Sequence, residues 1–457
     1  MPIQSIHPAT GSVLRTFPAL TEQAMREKID TCARAFEQHR NLPLEHRALC
    51  MRKLAVLLEE DRADLARVIT LEMGKPITAA EGEIDKCADA CRFFAGNAAR
   101  FLAPEMLRKQ TTTSGQAYVQ YEPLGMLLAV MPWNFPLWQV FRFAVPALLA
   151  GNTVLLKHAP SVPQCALQIE NLFRRAGFLR GALTTLLVEV EVVEAILNDP
   201  RVKGATLTGS EGAGRAIAAQ SGWLLKKTVL ELGGSDPFLV MPSANVEAAA
   251  EAAVKARMVN GGQSCIAAKR FIVHNDVFGE FQQRFVAGME ALRIGDPMKP
   301  ETEVGPMHDA HSLTVLEGQI RDCVAAGGRI VTGGTRMVGS GYFFEPTVLV
   351  NVPRHAPVYR QEIFGPVALL FRANSLDDAL AIANDTPFGL GASVWTSDPS
   401  EQQALLNGLE AGMVFLNQVV ASDPRLPFGG TKQSGYGREL GAAGMREFLN
   451  AKTVVIV

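Results

Sequence analysis

A chain of 457 residues is longer than one hydrophobic core usually serves, so two or three domains are expected. A formal net charge of −2 excludes the basic footprint of a nucleic-acid binder or of a protein held on an anionic membrane. With no run of 18 apolar residues and no basic-then-apolar start, the composition predicts a globular protein of the cytoplasm, neither inserted in nor bound to a membrane. Seven scattered cysteines without a CxxC pair, and the absence of an HExxH motif, argue against a disulfide framework and a structural metal.

Apolar residues at three- and four-residue spacing predict helices over 21–38, 46–72 and 79–101, with Met73-Gly74-Lys75-Pro76 as a helix stop. Residues 108–121 change to alternating Tyr and Val among Thr, Ser and Gln, the pattern of a polar hairpin. From Gly125 strands and helices alternate: strands at 126–131, 153–157 and 204–208, helices at 137–149, 163–176 and 214–221. A second series places strands at 237–241, 271–274, 329–332, 367–371, 392–396 and 413–417, with helices at 246–259, 277–292 and 315–326. Two successive series of this kind predict two α/β domains built on parallel sheets, with a boundary near 227–233. The last segment, 453–457, reads as a strand with no partner nearby in sequence.

Five places carry residues suited to chemistry. In Gly261-Gly262-Gln263-Ser264-Cys265 a cysteine follows two glycines, and Lys269 and Arg270 stand close behind it. A cysteine beside such cations reads as a lowered-pKa nucleophile, or as one more buried structural thiol. Asn134, between Pro132 and Pro136, is placed to donate its amide to an oxyanion, although asparagine is also a common turn former. Glu231, ahead of Gly233 and Gly234, reads as a desolvated general base or as a solvated strand end. Glu362 in Glu362-Ile363-Phe364-Gly365-Pro366 repeats that setting. The Gly209-Ser210 turn joins a strand to a helix; its free amides suit a pyrophosphate, but it is not GxGxxG and a plain tight turn fits as well.

Taken together, Asn134 in PWNFP, Lys157 at a strand end, the Gly209 loop, Glu231 in LELGG, Cys265 in GQSC, Glu362 in EIFGP and the Pro427-Phe428-Gly429-Gly430 turn resemble the aldehyde dehydrogenase superfamily from end to end. The spacings of 23 residues from Asn134 to Lys157 and 34 from Glu231 to Cys265 fit that resemblance. It implies a Rossmann-like cofactor domain (1–107 and 124–229), an α/β catalytic domain (230–435), and a small β-projection for oligomerisation (108–123 and 436–457) in a homodimer or homotetramer.

The resemblance also implies roles. Cys265 attacks the aldehyde to give a thiohemiacetal, then a thioester; Asn134 and the Cys265 N–H hold the oxyanion; Glu231 activates the hydrolytic water. NAD or NADP is the expected cofactor. Glu362 and Lys157 would hold its two riboses, Gly209 and Ser210 its pyrophosphate, and Trp133 and Phe364 would wall the nicotinamide. Pro160 stands where NAD-selective relatives carry a glutamate, and with Lys157 and His158 nearby this implies tolerance of NADP. Arg142 matches an arginine with which succinate semialdehyde dehydrogenases bind the substrate carboxylate, whereas Val259 replaces a second such arginine. Ser422 matches a polar substrate contact, and Arg425 is expected to add charge there. The phrases LKHAP, LELGGSDPF and AAKRF are similar to those of a compact bacterial subgroup that oxidises succinate semialdehyde. Broad aliphatic or aromatic aldehydes, glutarate semialdehyde, and a non-catalytic role are the alternatives; a redox-switch disulfide is not expected, because Ala267 occupies the required position.

Overall fold

A computed structural model describes residues 3–107 and 116–456. Its first sheet has six strands in the order Gly435–Tyr436, Lys227–Glu231, Val202–Thr208, Met126–Met131, Thr153–His158 and Leu183–Thr185. All pair in parallel except Gly435–Tyr436, which runs antiparallel against Glu231 and Leu230. The central strands are apolar runs buried on both faces, as a parallel sheet covered by helices requires. Chain order reverses between Met126–Met131 and Val202–Thr208, so the loops after these two strands open a crevice at the carboxyl edge of the sheet.

The second sheet has seven strands in the order Arg329–Thr332, Thr347–Val350, Val367–Ala373, Arg270–His274, Pro237–Val240, Gly391–Trp395 and Met413–Leu416. Only Arg329–Thr332 is antiparallel to its neighbour. The chain crosses from one sheet to the other over Leu232–Asp236, within six residues of Glu231. Lys227–Glu231 was expected to lie in a boundary and is instead a strand of the first sheet.

The predicted helix over 46–72 is two helices, Leu44–Glu60 and Arg62–Met73. The break falls at Asp61, with φ −91° and ψ 9°, and its carboxylate is held by the guanidinium of Arg175. Apolar periodicity runs on across that kink, which hid it. Gly74 closes the second helix at φ +89°, a conformation that favours glycine.

A third, antiparallel sheet joins Leu449–Ile456 to Gln116–Pro123, which also pairs with Glu105–Met106. The terminal strand thus finds its partner more than 300 residues earlier. Arg108–Gly115, the rest of the expected hairpin, lies outside the described residues. This sheet leaves Met106, Leu107, Val455 and Ile456 each more than half exposed. Among the described residues no helix is long and apolar enough to cross a membrane, and no group of three His, Cys, Asp or Glu side chains is arranged to hold a metal ion.

Candidate active site

The carboxyl edge of the first sheet meets the amino edge of the second. Pro132-Trp133-Asn134, Lys157, Gly209-Ser210 and Glu231 stand at the ends of first-sheet strands, while Cys265 and Glu362 precede second-sheet strands. The seam is hydrogen-bonded: Asn134 Nδ2 donates to Gln263 O at 3.0 Å, and Asn260 Nδ2 donates to Asn134 O at 2.8 Å.

The turn before Cys265 is built from three consecutive left-handed residues, Asn260 (φ +57°), Gly261 (φ +63°) and Gly262 (φ +77°). Asparagine tolerates that region, and Gly262 is obligatory, since a Cβ there would sit 2.1 Å from Gly365 O. Gln263 fixes the turn from inside, its Oε1 accepting from His308 N at 2.8 Å. The fully buried Lys269 fixes it from behind: its Nζ donates to Ser264 O at 2.6 Å and Cys265 O at 2.7 Å, and lies 3.1 Å from Glu362 Oε1. Glu362 Oε1 also accepts from Gly234 N at 3.1 Å.

Cys265 is half-buried and lines a cavity of about 530 Å³ with Arg142, Lys86, Trp138, Ser422 and Val259 among its walls. The thiol is not lowered in pKa. Burial pushes it up to about 12, and the nearby charges of Arg142 and Lys269 recover only part of that rise. Arg270 does not help, because its guanidinium turns away to Ala383 O and Ile382 O. Asn134 is buried directly behind the turn, its Oδ1 held by Gln139 Nε2 at 2.9 Å.

Glu231 is buried, and neither carboxylate oxygen has a hydrogen-bond partner among the described residues. Desolvation raises its pKa well above the usual range; the positive charge of Arg142 opposes the rise and Glu439 adds to it. Gly429 makes room for it, since a Cβ there would lie 2.8 Å from Glu231 Oε1. Arg142 is buried and pairs through Nε with Glu439, donates from Nη2 to Thr208 Oγ1 at 3.3 Å, and stacks 4.3 Å from the Phe428 ring centre. It lines the cavity, but its charge is committed to Glu439.

On the opposite side of the turn Trp133 and Phe364 meet edge to face at 5.8 Å, with Trp133 stacked on His308 at 3.9 Å. Ser210 caps the helix Glu211–Trp223, its hydroxyl oxygen accepting from Ala213 N, so its own proton remains to be donated. Gly212 has nothing within 4 Å of a built Cβ, leaving the helix N-terminus open to an anion. The Glu211 side chain folds inward, away from that approach, toward Gly233, where a Cβ would lie 2.3 Å from its Oε1 and 2.6 Å from Glu362 Oε2. Buried Lys157 faces Glu189 and Glu191, which oppose the fall in pKa that burial causes. Free amides, an unspent hydroxyl proton, a strand-end lysine and an aromatic slot fit a nicotinamide dinucleotide.

Two further expectations change. Arg425 is exposed, bound to its neighbour Asp423, and absent from the cavity wall, because the loop turns it outward. His158 supplies no charge for a phosphate: Nδ1 accepts from Ala159 N and Nε2 donates to Pro136 O, both at 2.8 Å, and burial lowers its pKa to about 4. Sequence reasoning also missed Glu439, Gln263 and Lys86, whose partners lie far away in the chain.

The fold and site define a two-sheet α/β enzyme in which a cysteine turn closes on a dinucleotide crevice. The chain belongs to the aldehyde dehydrogenase family, whose model matches residues 1–454. It is 50% identical to a probable NADP-dependent succinate-semialdehyde dehydrogenase from Synechocystis sp., over 100% of both chains. It is also 50% identical, again over 100% of both chains, to NADP-dependent succinate-semialdehyde dehydrogenase 1 of Mycobacterium tuberculosis. The crystal structure of succinic semialdehyde dehydrogenase from Streptococcus pyogenes, in complex with NADP+, matches with a TM-score of 0.96 at 37% identity, covering 99% of each chain.

The buried imidazoles give stability a pH dependence. His39 and His158 both fall from 6.5 to about 4 in the fold, chiefly through burial. The unfolded chain therefore binds more protons between those values. Their contribution is complete above pH 6.5 and is lost as pH falls toward 4, on the order of 3 kcal/mol for each ring. Urea unfolding across this window measures the slope, and His158→Asn is expected to flatten it. An unchanged slope in that variant would refute the assignment.

Proposed function

We propose that the protein oxidises succinate semialdehyde to succinate with NAD or NADP as acceptor, through a thioester on Cys265. One observation carries the chemistry: a half-buried cysteine and a desolvated glutamate without a hydrogen-bond partner, each close enough to Arg142 to feel its charge. Full-length similarity to enzymes named for succinate semialdehyde and NADP supports the choice of substrate and cofactor.

In this reading the Cys265 sulfur bonds to the aldehyde carbon as its proton departs to solvent or a carboxylate. The carbonyl oxygen becomes an oxyanion, and the Asn134 amide and Cys265 N–H donate to it. A nicotinamide held between Trp133 and Phe364 would supply the acceptor for the hydride that leaves that carbon as the C=O re-forms to give the thioester. Glu231 then takes a proton from water as the water attacks the thioester; the C–S bond breaks and the acid leaves. Glu362 and Lys157 would hold the riboses, Gly209 and Ser210 the pyrophosphate, and Trp133 and Phe364 would flank the ring. Residues 1–107 and 124–229 serve the cofactor, 230–435 the chemistry, and 108–123 with 436–457 subunit contact. The exposed apolar tip of the third sheet suits a homodimer or homotetramer, and the cytoplasm is the proposed location.

Glu231→Gln should still release one equivalent of reduced cofactor per site while steady-state turnover falls by about 10²–10⁴-fold. Cys265→Ser should lose both; a glutamine variant with no burst would contradict the role of Glu231 after hydride transfer. Substrate choice is tested with butanal, which has the same chain length without the carboxylate. kcat/KM should favour the semialdehyde by on the order of a hundredfold. Equal handling would overturn the substrate and leave the chemistry standing.

A further inference from the structure

Resting on the reading of Lys157 as the residue that holds the adenosine ribose, we propose that Glu189 and Glu191 set the cofactor preference, turning the enzyme toward NAD and against NADP. The two cofactors differ by one phosphate, on the 2′-hydroxyl of that ribose, so the charge around Lys157 decides between them. The names of relatives 50% identical to this chain point the other way, to NADP.

The strands Thr153–His158 and Leu183–Thr185 are parallel neighbours at the edge of the first sheet, with Leu156 opposite Thr185. Leu186 N donates to Leu156 O at 2.8 Å. The chain therefore leaves Leu183–Thr185 alongside Lys157, at the carboxyl edge where the dinucleotide crevice opens. It then makes one tight turn, Val190–Val192, with Glu189 immediately before it. Buried Val188 on one side of the turn, and buried Val193 and Ile196 on the other, fix it in place. Glu189 and Glu191 both act on Lys157 from this turn, their negative charge opposing the effect of burial on its ammonium.

A phosphate monoester brings roughly two negative charges to that corner. Against them stands the one ammonium of Lys157, on which two carboxylates already draw. The residues that follow Lys157 offer no help. His158 is committed to Ala159 N and Pro136 O, with burial lowering its pKa to about 4. Pro160 has neither an N–H nor a polar side chain to give. Like charges brought together cost affinity, and only for the ligand that carries the extra charge. A bare 2′-hydroxyl is neutral, and the acids do not repel it. The penalty falls on NADP alone, which still serves as acceptor at higher concentration.

Calorimetric binding of NAD and of NADP, without aldehyde, tests this apart from turnover, with melting temperatures as a check on folding. Wild type should bind NAD tighter than NADP by on the order of 10-fold at low ionic strength, and added salt should narrow the gap as it screens the acids. In the double variant Glu189→Gln, Glu191→Gln, NADP should tighten by on the order of 10- to 100-fold, with NAD within about threefold of wild type. kcat/KM for NADP should rise with it, through KM. Lys157→Met separates this inference from the reading beneath it. Lost affinity for both cofactors upholds Lys157 as the ribose holder, and unchanged affinity for both overturns that role. A wild type that binds NADP as tightly as NAD, or a glutamine variant with the wild-type ratio, overturns the acid pair alone.

Discussion

One buried ammonium ties the site together. Lys269 Nζ gathers Ser264 O, Cys265 O and Glu362 Oε1, so the nucleophile turn and the proposed ribose-binding carboxylate share a single fixed point. Burial lowers the lysine's pKa, and Glu362 opposes that fall. Isolated in the interior, either charge would be costly; paired and hydrogen-bonded, they hold the geometry. Glu362 in turn reaches Gly234 N, only three residues beyond Glu231. Glu231, Cys265 and Glu362 are thus linked through one short path of hydrogen bonds and chain.

A second buried set governs charge. Arg142 lies between Glu439, which it pairs with, and the Glu231 and Cys265 side chains, whose pKa values it lowers against the effect of burial. Burial raises both pKa values, and Arg142 is the strongest charge opposing that rise. Arg142 thus couples three buried groups electrostatically while its guanidinium is held by Glu439.

Much of this was legible in the sequence. Met126–Met131 and Arg329–Thr332 could be bounded correctly because apolar runs between turns leave few alternatives. Three-residue Leu183–Thr185 escaped, being too short to carry a period. Glycine, proline and asparagine around Cys265 and Asn134 marked the turns, since those residues answer to local backbone geometry. Lys86 and Glu439 carried no such mark. Each is one charged residue among many, and its meaning comes from Ser422 or Arg142, hundreds of residues away. The raised thiol pKa was illegible too, because its main cause is burial, and because Lys269 and Arg270 look alike in sequence while only Lys269 faces the turn.

The account stands or falls on a covalent intermediate at Cys265. The direct measurement is acid quenching of the protein during turnover of succinate semialdehyde with NADP+, followed by peptide mass analysis. A succinyl thioester on the peptide containing Cys265, absent when the cofactor is left out, is the predicted result. Turnover with no acyl adduct, or with the adduct on any of the six other cysteines, would contradict it.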